Sequence, residues 1–387
     1  MGRLRKPDFD PRYPSVEDLR ARARKRIPGF AFEYLDGGCN EEVNLHKNTA
    51  QIREVELKPK YLDTFSEARL ETDLFGHRYS APFGIAPIGL QGLMWPNAPE
   101  ILASAAFEHN IPFILSTVTT SPIERISELT EGRAWFQLYH PSEVEVRNDI
   151  ISRAEAAGCP VLVLLCDVPT FGFRPKDIKN GLAMPPKMTG RNIMQMLGRP
   201  GWALQTLKHG VPQFATLKPY MPKNLDLQQL GSFMDQTFSK RMTLEKIAPI
   251  RDLWKGKLVL KGVATEEDAL KAIQLGLDGI IVSNHGGRQL DAGESTIRPM
   301  TRIAEKYGDQ ITVMMDSGMR SGPDVARAIA SGSRFTFMGR SFMYGVSALG
   351  KHGGHHTIAL LKTQLKQIME QIGCAEVTDF PKHLVRE

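Results

Sequence analysis

Short apolar runs that close on Gly, Ser, Asp or Asn recur along most of this chain. They are PFGIAPIG (82–89), PFILSTV (112–118), AWFQLYH (134–140), PVLVLLCDV (160–168), KLVLKGV (257–263), GIIVSNHG (279–286), ITVMMDSG (311–318) and RFTFMGRS (334–341). Between them lie segments such as APEILASAAFEHN, TEEDALKAIQLG and GPDVARAIASG, whose apolar positions fall three and four apart, as on one face of a helix. Most of the runs are apolar throughout, as parallel strands buried on both faces are. Eight strands alternating with helices predict an α/β protein, a (β/α)8 barrel. The division expected is one domain over 1–387, with an N-terminal helical extension (1–81), the barrel (82–345) and a C-terminal helical segment (346–387).

The rhythm breaks once. From about Pro175 to Met242 no strand pattern appears, so an insertion (175–242) follows strand four, and unstructured loops much beyond ~15 residues are uncommon unless functional. Within it, RNIMQMLGRPGWALQTLKHG interleaves Ile193, Met194, Met196, Leu197, Trp202, Leu204 and Leu207 with Arg191, Arg199 and Lys208. Such a segment suits a membrane interface, a lid over an active site, or a helix packed on the barrel.

Composition narrows the class. With 42% apolar and 24% charged residues among 387, the chain has ample material for a large core, and disorder is excluded. The longest wholly apolar run, Val161–Cys166, is far short of the ~20 residues a transmembrane helix needs. The basic start lacks a following apolar stretch, which leads to the expectation of a cytoplasmic protein. Cys39, Cys159, Cys166 and Cys374 form no CxxC pair and read as reduced, buried thiols. The net charge of +6 suits acidic substrates, phosphate cofactors or anionic lipid, whereas no nucleic-acid motif accompanies it. His352, His355 and His356 in KHGGHH read as a hydrophilic loop before a helix over 357–373 rather than as a metal site, because no ligand partner sits at the right spacing.

Barrel enzymes place their chemistry after the strands. The run ends here are polar: Gln137, Tyr139, Asp167, Lys261, Ser283, His285, Arg288, Asp316 and Arg340. A neutral imidazole accepts a proton near neutrality, a carboxylate orients it, and a guanidinium fork matches a ligand carboxylate. Lys261 read alone fits either a cationic site or a Schiff-base amine, as in barrel aldolases.

The stretch SNHGGRQLD (283–291) resembles the signature of the FMN-dependent L-2-hydroxy acid oxidising family. The likeness extends through EYLDGG near the start, IAPIG, FQLY, CDVP with Arg174 beyond it, LKGV, DSGMR and MGR, in the order the family has them. It implies that His285 is the catalytic base, Asp167 its orienting carboxylate, and Tyr34 and Tyr139 the active-site tyrosines. Arg174 and Arg288 would hold the substrate carboxylate. For FMN, it implies that Ala86, Pro87, Ile88 and Gly89 lie against the ring, with Ser116, Gln137, Lys261 and Ser283 at its polar edge. Asp316, Gly318, Arg320, Gly339 and Arg340 would hold the ribityl chain and phosphate.

Some positions depart from the family. Leu165 stands where relatives usually carry a threonine that contacts the flavin. Val118 replaces a tryptophan of the glycolate-oxidising members, and Phe171 falls at another pocket position, so a substrate larger than glycolate is expected. Gly89 stands where several oxidases have alanine. The resemblance implies oxidation of an L-2-hydroxy acid, lactate-like or larger, by a homotetramer; the basic insertion suits electron transfer to a quinone or other non-oxygen acceptor and a peripheral place on the cytoplasmic face of a membrane. Two alternatives stay open: an oxygen-using oxidase that forms hydrogen peroxide, and an inactive barrel serving as a basic membrane-binding module.

Overall fold

A computed structural model describes residues 8–182, 187–210, 212–222, 233, 236–238 and 241–385. The remaining parts of the 175–242 insertion and of both termini lie outside the described residues.

Eight strands form one parallel sheet: β1 (Phe83–Ile85), β2 (Ile114–Ser116), β3 (Trp135–Leu138), β4 (Val161–Leu165), β5 (Lys257–Val263), β6 (Gly279–Val282), β7 (Thr312–Met315) and β8 (Phe335–Met338). They pair in chain order, β8 returns to β1, and a single parallel bridge from Ile85 to Phe113 joins β1 to the start of β2. The chain is therefore a (β/α)8 barrel, each run read from the sequence holding one strand. A short hairpin, Thr72–Leu74 with His77–Tyr79, precedes it.

Strand residues alternate between two buried surfaces, which is why the runs carry no polar alternation. Inside the barrel, Ile114, Trp135, Val161, Val163, Val259, Ile281, Met314, Phe335 and Phe337 pack as one cluster, while Leu162, Leu164, Leu258, Leu260, Ile280 and Val282 face the helices. The period of two then fixes what comes next. The residues two beyond Ile114, Trp135, Val259, Ile281 and Met314 are Ser116, Gln137, Lys261, Ser283 and Asp316, so the apolar interior gives way to a polar layer at the C-terminal mouth. On β4 the equivalent place is Leu165, beside Lys261 in the ladder.

The N-terminal extension supplies three helices: α1 (Val16–Arg26), α2 (Gly29–Asp36) and α3 (Val43–Arg53). Ser15 caps α1 by accepting from the Asp18 amide, and α1 packs along the helix Arg340–Leu349 that follows β8. That helix runs through the expected 345/346 boundary, so the C-terminal segment continues the barrel's last helix.

Two helices stand out in the described part of the insertion. Gly190–Leu197 docks on α2, where the Gln195 side-chain oxygen accepts from the Phe30 amide at 2.8 Å. Pro200–His209 buries Trp202, whose Nε1 donates to the Leu93 carbonyl at 3.2 Å. Ile193, Met194, Leu197, Leu204 and Leu207 stay exposed, Leu207 at 81%.

KHGGHH is not a loop ahead of its helix. The helix spans Gly353–Ile372 and includes His355 and His356. His356 is buried, accepts from the Asp10 amide at 3.2 Å and meets the Tyr13 carbonyl at 3.0 Å, so this histidine fastens the N-terminal segment. The two glycines allow close approach instead of ending the helix, since a Cβ on Gly353 would lie 2.2 Å from Gly345 backbone.

Candidate active site

A cavity of about 450 Å³ opens at the C-terminal mouth of the barrel. Its lining includes Ala86, Pro87, Ile88 and Gly89 after β1, with Gly318, Arg320, Gly339 and Arg340 after β7 and β8. Tyr34, Tyr139, Arg174, His285 and Arg288 line it as well, with Val118 and Phe171. Ser116, Gln137, Asp167 and Ser283 are outside the lining and sit just behind it, each bonded within the same cluster.

The SNHGGR turn has a steric explanation. His285, Gly286 and Gly287 adopt φ of +58°, +68° and +72°, three successive left-handed residues. A Cβ on Gly286 would meet Arg340 Nη1 at 2.5 Å, and one on Gly287 would meet the Leu45 amide at 2.5 Å, so only glycine fits either place. His285 tolerates the strained region because Ser283 Oγ accepts its amide at 3.1 Å. The ring thereby turns into the cavity, with Nδ1 3.3 Å from Asp167 Oδ1.

A carboxylate only accepts, so this contact assigns the proton to Nδ1 and leaves the Nε2 lone pair free. Burial pushes the His285 pKa below its ordinary value, against the opposing charge of Asp167. Burial raises the Asp167 carboxyl, but His285 and Lys261 outweigh it and hold the group below the usual range. At neutral pH the pair is a neutral imidazole on an ionised carboxylate, a state ready to take a proton.

Lys261 is set by a bulge. The β5–β6 register slips between Lys261 and Val263, and at Gly262 (φ +101°) a Cβ would strike Asp167 Cβ at 2.6 Å. Lys261 Nζ lies 2.9 Å from Asp316 Oδ2 and donates to Ser283 Oγ at 2.9 Å. Burial disfavours its charge, yet Asp316 and Asp167 raise its pKa above the ordinary value. An ammonium held protonated is the reverse of what a Schiff-base amine needs, so the aldolase alternative fails on this geometry.

The carboxylate-binding candidates come together as well. Arg288 Nη1 donates to the carbonyls of Tyr34 (2.7 Å) and Gly37 (2.8 Å) at the C-terminal end of α2, and its guanidinium lies 4.9 Å from the Tyr34 ring centre. Arg174 Nη2 donates to the Gln289 amide oxygen at 2.9 Å. Burial and the neighbouring Arg174 bring Arg288 down to about 10, which leaves it cationic at neutral pH. Arg340 directs its guanidinium at the carbonyls of Leu35, Gly286 and Gly37 (2.8–2.9 Å). Its backbone opens the helix Arg340–Leu349.

Three features lie outside the residues read from the sequence. Asp177, in the short helix Pro175–Lys179, stands between the two arginines. The carbonyls ending α2 anchor Arg288 and Arg340 across about 250 to 300 residues of chain. Met94, Ile178, Leu182, Phe214 and Phe238 complete an apolar wall. Only the RPKDIKN spacing, three residues from Arg174 to Asp177, hinted at any of these.

Whether FMN suits this mouth can be tested on the buried polar atoms. Gln137 Nε2 is buried without a hydrogen-bond partner among the described residues, while its Oε1 accepts from Ser116 Oγ at 3.0 Å. A donor left over in the same polar layer as a buried ammonium suits a ligand edge carrying carbonyl and ring-nitrogen acceptors, as the flavin has.

Barrel, polar mouth and helix N-terminus after β8 suit a flavin that carries a phosphate, and the chain belongs to the FMN-dependent dehydrogenase family, matched over residues 23–387. It is an FMN-dependent oxidoreductase. Among characterised relatives, it is 36% identical over 364 residues to an L-lactate dehydrogenase of Pectobacterium atrosepticum, covering 94% of each chain. Among solved structures, it resembles the monotopic membrane protein (S)-mandelate dehydrogenase, with TM-score 0.91, 34% identity and coverage of 97% and 100% of the two chains. A mandelate oxidase matches with TM-score 0.83, 30% identity and coverage of 97% and 98%.

Proposed function

We propose that this protein oxidises an L-2-hydroxy acid with an apolar side chain larger than lactate's methyl to the 2-oxo acid, and passes the electrons to a quinone or other non-oxygen acceptor. The observation that carries the reading is the placing of the His285–Asp167 pair beside the Arg174–Arg288 pair in one cavity lined also by apolar side chains.

Arg174 and Arg288 bind the substrate carboxylate with paired charge-assisted hydrogen bonds. Tyr34 and Tyr139 border the same space, and burial raises the Tyr139 phenol, which keeps it a neutral donor. His285 Nε2 takes a proton from the substrate, and Asp167 stabilises the resulting imidazolium. FMN supplies the electron-pair acceptor when bound. Gln137, Ser116, Lys261 and Ser283 would hold its polar edge, with Gly318, Arg320, Gly339 and the Arg340 backbone at its ribityl phosphate. Val118, Phe171, Ile178 and Phe214 leave room for a bulky side chain.

Arg288→Lys tests the fork. An ammonium lacks the planar fork that grips the α2 carbonyls on one side and pairs with a ligand carboxylate on the other, so kcat/KM is expected to fall about 100-fold. Steady-state kinetics within threefold of wild type would remove Arg288 from carboxylate binding. The side-chain reading is tested by ranking L-lactate, L-mandelate and longer L-2-hydroxy acids by kcat/KM with a quinone analogue. Lactate ranking first contradicts it, and stoichiometric peroxide in air contradicts the acceptor assignment.

Peripheral membrane attachment belongs to the same proposal. The exposed Met194, Leu197, Leu204 and Leu207 sit among exposed Arg191 and Lys208, an apolar patch with a basic border. No described helix is long and apolar enough to cross a membrane. Removing 191–208 is expected to abolish sedimentation with phosphatidylserine-containing vesicles while substrate still bleaches the flavin. A wild-type protein that stays in the supernatant with those vesicles overturns the attachment.

A further inference from the structure

The two arginines facing the cavity are arranged around a third charge. Asp177, 7% exposed, places Oδ2 3.7 Å from Arg174 Nη1 and 3.6 Å from Arg288 Nη2. Neither distance is that of a hydrogen bond, and neither arginine depends on Asp177 for its position. Arg288 is tied through Nη1 to the Tyr34 and Gly37 carbonyls. Arg174 is tied through Nε to the Arg288 carbonyl and through Nη2 to Gln289. The nitrogens turned toward Asp177 are those left over, and a ligand carboxylate needs them too.

Charge then decides what Asp177 does. Two guanidiniums in a partly desolvated cavity repel one another and attract any carboxylate strongly. One fixed carboxylate cancels half of that excess and leaves a net single positive charge, the complement of a monocarboxylate. Burial raises the Asp177 carboxyl above its ordinary value, and the two guanidiniums offset this only in part. Substrate and product carry the same carboxylate, so a pair without this counterweight would hold the 2-oxo acid as firmly as the 2-hydroxy acid and release it slowly.

We propose that Asp177 is a built-in counter-anion of the Arg174–Arg288 pair, which competes with the ligand carboxylate and so sets product release. It rests on the reading that these arginines bind the substrate carboxylate. The proposal differs in sign from an anchoring role: an anchor's removal loosens ligand binding, whereas removal of a competing charge tightens it.

The test is calorimetric titration of the FMN-loaded protein with pyruvate and phenylglyoxylate, for wild type and Asp177→Asn, together with steady-state turnover and single-turnover flavin bleaching. The expected result is a Kd for the 2-oxo acid about tenfold lower in the variant, with turnover slowed more than bleaching. A Kd that is unchanged or higher overturns the proposal. Asp177→Ser, smaller and also uncharged, is expected to shift Kd in the same direction and serves if the Asn variant does not fold. If no 2-hydroxy acid bleaches wild-type flavin, the reading of the arginine pair falls; bleaching with an unaltered variant Kd removes the counter-anion alone.

Discussion

Replacing His285 with glutamine is expected to leave a yellow, FMN-loaded protein whose anaerobic bleaching by substrate is at least about 1,000-fold slower. Glutamine keeps a polar side chain of similar reach, and the turn that presents it depends on Ser283 and the two following glycines. What it lacks is a nitrogen that can accept a proton. Stopped-flow absorbance under nitrogen measures the loss, and bleaching at the wild-type rate would take His285 out of the mechanism. The pH dependence carries a sign. His285 must be neutral to act, and burial holds its pKa below the ordinary value, so kcat/KM is expected to persist below the usual histidine range before falling in acid. Asp167→Asn removes the charge that opposes burial, which moves the acid limb lower still while the rate itself drops.

The second large effect concerns the folded state. Lys261→Met keeps the length of the side chain but strips Asp316 of its buried partner at 2.9 Å and Ser283 Oγ of its donor. Removing one member of a buried ion pair costs about 3–5 kcal/mol, because the other charge stays desolvated. Equilibrium urea unfolding of the flavin-free variant is expected to show a loss of that size, and a loss under about 1 kcal/mol would mean that Asp316 finds another partner. Borohydride with any substrate is expected to leave wild-type Lys261 unmodified, since its amine stays protonated.

The barrel was legible because its signal is local. A strand buried on both faces needs an unbroken apolar run, and VLVLL of β4 or TVMM of β7 shows one directly. The polar mouth was legible for a related reason: period two carries Gln137, Lys261 and Asp316 onto the face already occupied by Trp135, Val259 and Met314. The SNHGGR turn was readable as a motif, but its reason was not. That reason is the approach of Leu45 and Arg340, more than fifty residues away in either direction.

Elsewhere the sequence carried too little. The KHGGHH segment reads as a loop because glycine weakens a helix, and only the packing of Gly353 on Gly345 shows why helix persists there. Asp177 looks like an ordinary first-turn acid of a short helix, and nothing in RPKDIKN says that its neighbour in space is Arg288. The α2 carbonyls that anchor Arg288 and Arg340 belong to backbone, which leaves no mark on side-chain pattern. Long-range contacts of this kind decide how firmly a site is held, and they come from the fold as a whole.

The central claim, that this FMN-dependent protein takes an electron pair from an L-2-hydroxy acid, is met most directly by one titration. The purified yellow protein is mixed, without oxygen, with stoichiometric amounts of the L and D forms of mandelate and lactate while the visible band is followed. The account predicts bleaching by an L-2-hydroxy acid with one 2-oxo acid formed per flavin, and no bleaching by its D form. A band left intact by every L-2-hydroxy acid, in protein shown to hold FMN, would contradict it.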